Sequence, residues 1–272
     1  MGLFNRVLVG VALLLSSVCH ADTSEQLWQR YNALVGADQV IDSMPQQIDA
    51  MLAQQALTNP DRSLLDRIEP IVKGSWHSDH LRQVFIGHYR ADLTDLQLQQ
   101  LIAFRELPQN RRITEAELAA SQPGFEAGLL RFLADLQENP PHQQRTQVIH
   151  DYIEATEMVD YLVELTADLV AVMITNMQNY MEPEAEVGPD LAEMREMMRT
   201  QLRPMMEQQM YLTSYYLYRD ISDQDLSEYT QFYRSELGQH EVGVAKGAVA
   251  EMLMQWGQQL ALDLAQDLQA QP

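Results

Sequence analysis

Four groups of side chains in this chain have types that coordination chemistry uses, and their spacing decides among them. Met194, Met197, Met198, Met205, Met206 and Met210 crowd one segment. Thioethers are soft ligands for Cu(I), and helical spacing brings Met194, Met197 and Met198 together. Core packing is the plainer reading, since methionine fills irregular interiors and lines adaptable grooves. In Trp76-His77-Ser78-Asp79-His80, the two histidines share a helical face and could form half of a metal site. His88 lies about 16 Å further along such a helix and cannot join them. Exposed polar residues on a helix that buries Trp76, Leu81 and Val84 account for the cluster more simply.

The third group fails on its own spacing. His240-Glu241-Val242-Gly243-Val244 opens like a zinc-protease helix, but Val244 occupies the place of the second histidine. Asp220, Asp223, Asp225 and Glu228 resemble a calcium loop only in part, because Glu228 stands where the loop turns on glycine. Acids in a first helical turn are explained by capping and the helix dipole. There is no G-x-S-x-G and no glycine-rich phosphate loop, and the carboxylates are too evenly spread to nominate an acid/base pair. The sequence therefore nominates no catalytic residue, no cofactor and no firm metal ligand. Met194, Met197, Met198, His77 and His80 are the only candidates for metal. Tyr211, Tyr215 and Tyr218, with Tyr229, Phe232 and Tyr233 further on, predict an aromatic seam between two antiparallel helices, hydroxyls at its edge. Gly243 and Gly247 form a small face that lets another helix approach closely.

The elements that carry these residues are helices, and one helix start occurs twice. Tyr89-Arg90-Ala91-Asp92 leads into Leu93-Thr94-Asp95-Leu96-Gln97-Leu98, and Tyr218-Arg219-Asp220 leads into Ile221-Ser222-Asp223-Gln224-Asp225-Leu226. Thr94 and Ser222 stand as N-caps, Gln97 and Asp225 can reach back, and Leu93 with Leu98 and Ile221 with Leu226 occupy staple positions. Two starts that share cap, box and staple predict an internal duplication. No stretch alternates like a strand, so the fold class is all-α, a helical bundle built from two similar repeats. Residues 22–137 form the first repeat, 138–141 the joint at Glu138-Asn139-Pro140-Pro141, and 142–272 the second.

Prolines and caps predict helices near 23–35, 38–57, 60–73, 76–90, 94–106 and 114–136, then 141–154, 156–181, 190–219, 222–237 and 239–267. The start at 114 rests on Ile113-Thr114-Glu115-Ala116-Glu117-Leu118, which repeats the cap, box and staple. Pro45, Pro123 and Pro204 fall inside apolar periodic runs and predict kinks or breaks.

Residues 1–21 read as a secretory signal, with Arg6 as the positive region, Val7 to Leu15 as the apolar run and Cys19-His20-Ala21 as the cleavage site. Val18 argues against a lipid-anchoring signal at Cys19. The run is shorter than the roughly 20 residues that span a bilayer, which predicts no integral membrane segment after cleavage. Cys19 is the only cysteine and would leave with the leader, so stability must come from packing. About 250 mature residues can bury something like 70 % of their unfolded surface. The net charge of −21 makes nucleic acid and anionic membranes poor partners.

One stretch carries a resemblance. Phe232-Tyr233-Arg234-Ser235-Glu236-Leu237-Gly238-Gln239 resembles the C-terminal signature of the exported bacterial family called domain of unknown function 2059. Gly36-Ala37-Asp38-Gln39-Val40-Ile41-Asp42-Ser43-Met44 is similar to that family's opening helix, and Ala155 to Leu165 to a weaker copy. Phe104-Arg105-Glu106-Leu107-Pro108-Gln109 departs from the pattern, lacking two residues and the glycine. The resemblance implies an all-helical periplasmic domain of Gram-negative bacteria and supplies no catalytic residues. The function expected is a non-enzymatic interaction or accessory protein with a protein partner. The alternative is a small-ligand or copper-binding module using the Met-rich helix 194–210.

Overall fold

Capping chemistry sets where the helices begin. Thr23 opens α1 (Ser24–Val35): its hydroxyl accepts from the Gln26 amide while Gln26 Oε1 accepts from the Thr23 amide. The structure is a computed structural model that describes residues 23–58, 62–122, 124–181 and 191–270. Gly36 ends α1 at φ 65°, donating its amide to the Asn32 carbonyl, and a Cβ there would lie 2.5 Å from Leu118. Then follow α2 (Ala37–Thr58), α3 (Ser63–Ser75) and α4 (Ser78–Asp92). Thr94 and Gln97 repeat the reciprocal box at α5 (Asp95–Arg105). Next come α6 (Pro108–Leu118), a 3-10 turn at Ala119–Ser121 and α7 (Phe125–Glu138).

The second half runs α8 (Gln143–Thr156), α9 (Met158–Met181), α10 (Leu191–Leu217), α11 (Asp223–Tyr233) and α12 (Glu236–Gln269). His142 caps α8 through Nδ1, and Ser222 and Ser235 cap α11 and α12 through their hydroxyls. The described residues form twelve α-helices and no strand, so the fold is all-α. Among them no helix is long and apolar enough to cross a membrane.

Three expectations change. The helix expected at 114–136 is two helices, because Pro108 at the first position starts α6 six residues early and the chain breaks after Leu118. Thr114 is then no cap but a buried residue of α6; a cap-and-box pattern also fits the i, i+3, i+4 spacing of a helix interior. Neither Pro45 nor Pro204 breaks its helix: α2 and α10 run on through them despite the missing backbone donor. Ser222 caps α11, yet Asp225 does not complete a box; its carboxylate accepts from Arg112 at 2.9 Å. The leader, Pro60, Pro123 and Gly188-Pro189-Asp190 lie outside the described residues.

Packing ties the halves together. α1 lies along α5, and α8 lies along α11. One core joins Leu27, Trp28 and Tyr31 of α1, Leu98, Leu101 and Ile102 of α5, and Leu81 and Phe85 of α4 with Val244, Ala248, Met252 and Leu260 of α12. The other joins Ile149 and Ile153 of α8, Val163 of α9 and Leu226 and Tyr229 of α11 with Ile113 of α6. Each half thus sends a helix into the core of the other. The joint at 138–141 is largely exposed, but it does not divide the core.

The caps and staples have separable strengths. Thr94→Ala or Ser222→Ala is expected to cost about 1 kcal/mol. Leu98→Ala or Leu226→Ala, each at a buried position, is expected to cost about 2–5 kcal/mol. Urea unfolding of the four variants checks both values.

Candidate functional site

The densest group of titratable side chains lies inside the protein, where the crossing helices meet the capped ones. Glu241 of α12 enters the first core, and its Oε1 accepts from Tyr31 Oη at 2.7 Å and from Arg105 Nε and Nη2 at 2.9 and 2.7 Å. Glu241 is 2 % exposed, and its Oε2 has no hydrogen-bond partner among the described residues. Glu117 of α6, half-buried, meets the tyrosines of the second core. Tyr152 and Tyr218 donate to its Oε1 at 3.0 and 2.9 Å, and Tyr229 donates to Oε2 at 3.4 Å. The two centres are joined: Arg105 Nη2 donates to Tyr233 Oη at 3.1 Å, and Tyr233 donates to Tyr229 Oη at 3.2 Å. One hydrogen-bonded line therefore runs from Tyr31 through Glu241, Arg105, Tyr233 and Tyr229 to Glu117.

Neighbouring positions show why the chain folds this way. Tyr31 and Tyr152 each stand one turn before a left-handed residue that ends their helix, Gly36 at φ 65° and Glu157 at φ 47°. Each donates to the carboxylate of a crossing helix. The N1 residues of α5 and α11 are also held alike, Asp95 by the Ser24 hydroxyl at 2.6 Å and Asp223 by Arg145 at 2.8 Å. Arg145 further donates to the Tyr218 and Ile221 carbonyls at the end of α10.

Burial dominates the electrostatics. It pushes the hydroxyls of Tyr31, Tyr152, Tyr218 and Tyr233 well above the ordinary tyrosine value, with neighbouring carboxylates adding to the shift at each, so all four remain protonated donors. Tyr89 and Tyr229 are raised for the same reason. Burial also raises the Glu117 carboxyl, against the pull of Arg105 and of the three hydroxyls. Arg105 is held charged: Glu241 and the tyrosines outweigh the opposing effect of burial.

The residues singled out from sequence fall elsewhere. His77 immediately precedes α4 and His80 lies in its first turn, both exposed. Met197 is exposed, Met194 and Met198 are half-buried, and Met206 and Met210 pack on the second core. His88 sits between Asp92 and Glu251 at 3.4 and 2.9 Å, close against Gly247, so that glycine admits the ring from α4, while nothing approaches Gly243 within 4 Å and the expected two-glycine face reduces to one position. The tyrosine seam is corrected: Tyr152 of α8 lies between Tyr218 and Tyr229, and their hydroxyls turn inward to Glu117 rather than to an edge.

Sequence reading missed a surface group as well. His150, Asp151 and Glu154 place ligand atoms within 4.8 Å of one another, the group among the described residues that could hold an ion. Arg234 lies 3.6 and 3.8 Å from the two carboxylates and already supplies positive charge. Beside it a cavity of about 340 Å³ is floored by Ile153 and Val159 and rimmed by Glu154, Glu157, Glu207 and Tyr211. Spacing of i, i+4 on α8 was the available signal, but it is common on any exposed helix.

No protein-family model, curated protein or solved structure matches this chain. The interior network is testable directly. Arg105→Met leaves Glu241 buried without its cation and is expected to cost about 3–5 kcal/mol. Adding Glu241→Leu to that variant is expected to recover much of the loss, and a double-mutant cycle by chemical denaturation measures it.

Proposed function

We propose that this is an exported, periplasmic, non-enzymatic interaction or accessory protein built from two divergent copies of one helical unit. The observation that carries the reading is the inward placement of Glu117, Arg105, Glu241 and their tyrosines, which hold helices to one another instead of surrounding an opening. Acidic and arginine side chains line the outer faces of these helices, and their exposed ion pairs contribute little to stability, leaving them available to a protein partner. The matched contacts of Tyr31 with Tyr152 and of Asp95 with Asp223 support the duplication. Export rests on the leader at 1–21, and the resemblance to domain of unknown function 2059 belongs to the same proposal.

A second reading has one observation in its favour. α10 leaves Met197 and Met205 at 52 % and 56 % exposure, more than core packing requires, as a soft-metal or small-ligand surface would.

Pull-down from periplasmic extract, with mass spectrometry of bound proteins and small molecules, separates the two. The first reading expects a stoichiometric protein partner that is retained by a Met194→Leu, Met197→Leu, Met198→Leu variant. The second expects Cu(I) binding that the same variant abolishes. Recovery of the protein from cytoplasm without cleavage near Ala21 would sink the export assignment.

A further inference from the structure

We propose that Glu117 is a proton-operated latch, holding α6 in the second core when its carboxyl is protonated and loosening it when ionised. The inference stands on the geometry of the interior and does not depend on the accessory-protein reading. Two carboxylates, Glu117 and Glu241, lie on one hydrogen-bonded line with a single guanidinium, Arg105, and that guanidinium is committed; the other buried guanidinium, Arg145, is taken by Asp223 and by the Tyr218 and Ile221 carbonyls. Arg105 gives Glu241 its two short bonds, gives Tyr233 a third at 3.1 Å, and reaches Thr114 only at 3.5 Å. Among the described residues no cation lies within hydrogen-bonding distance of Glu117. The nearest groups facing it are neutral: Tyr152 from α8, Tyr218 just after α10 and Tyr229 from α11, with Tyr233 behind, then Arg105 from α5 and, beyond that, Glu241 from α12 with Tyr31 from α1. Arg112, the nearest basic residue on α6 to be paired, turns outward to Asp225 at 2.9 Å.

Hydroxyl donors alone do not repay the desolvation of a carboxylate in such a place, which favours the neutral acid. A protonated Glu117 also leaves the line balanced, with Arg105 and Glu241 as its only ion pair. α6 has little else to hold it: only Asn110, Ile113 and Thr114 are buried along its length. The charge state of one side chain can therefore weigh heavily on whether the helix stays seated.

The direction of the pH effect follows from linkage. A carboxyl raised in the folded protein contributes stability that is complete below its unfolded value and is lost as pH rises through its folded value. Over that window the unfolding equilibrium constant increases about tenfold per pH unit from this group. Full-length wild type and Glu117→Gln are compared by urea unfolding from about pH 5 to about pH 8, with hydrogen exchange read at the α6 amides. The expected result is that wild type loses stability relative to Glu117→Gln as pH rises, and that α6 loses protection before α3 does. Parallel pH curves for the two proteins overturn the proposal, as does protection of α6 that does not change with pH. Should Glu117→Gln fail to fold, infrared spectra of wild type and Tyr218→Phe decide. A protonated-carboxyl band that disappears above the ordinary glutamate range, and that shifts when the Tyr218 hydroxyl is removed, supports the latch; a band titrating in the ordinary range, or unmoved by Tyr218→Phe, refutes it.

Discussion

The guanidinium of Arg105 is the interaction on which the rest of the interior depends. It is buried, it makes two short bonds to Glu241, and it orients Tyr233, which in turn orients Tyr229. A lone charge at that depth is strongly unfavourable, so Arg105 on α5, Glu241 on α12 and Tyr31 on α1 must arrive together. Hydrophobic contacts supply most of the driving force, but they are non-directional. The polar line is directional. It fixes which turn of α12 faces which turn of α5, and through Tyr229 it carries that register to α6.

The two carboxylates on the crossing helices solve the same problem differently. Glu241 is met by a cation, whereas Glu117 is met by the hydroxyls of Tyr152, Tyr218 and Tyr229. The position on α11 that matches Arg105 on α5, counted from the caps Ser222 and Thr94, is Tyr233. A neutral donor thus stands where α5 carries a charged one.

Local signals were legible in the sequence, and distant ones were not. Thr94 and Ser222 announced α5 and α11 because a cap needs only residues three apart, and the apolar spacing of Leu98, Leu101 and Ile102 marked the buried face of α5. Glu117 and Glu241 could not be told from the other acids, since what distinguishes them is burial by helices far away in the chain. Arg105 looked like an ordinary basic residue at the end of a helix for the same reason. The missed start of α6 has a local cause: Pro108 and the Thr114 pattern both read as helix starts, and the nearer packing of Ile113 decided for Pro108. The surface group at His150, Asp151 and Glu154 carried the i, i+4 spacing that many solvated helices share.

The reach of α12 into the first core has a kinetic meaning. Tyr31 and the Glu241 that satisfies it are 210 residues apart, and Leu260 joins a core that begins at Leu27. A chain made or threaded from its N-terminus therefore holds α1 to α5 with an uncovered apolar flank until its last helix is delivered. Contacts of such long sequence separation slow folding, even in a protein whose individual helices can form in microseconds. Covering of the first core by α12 thus waits until the whole chain is present.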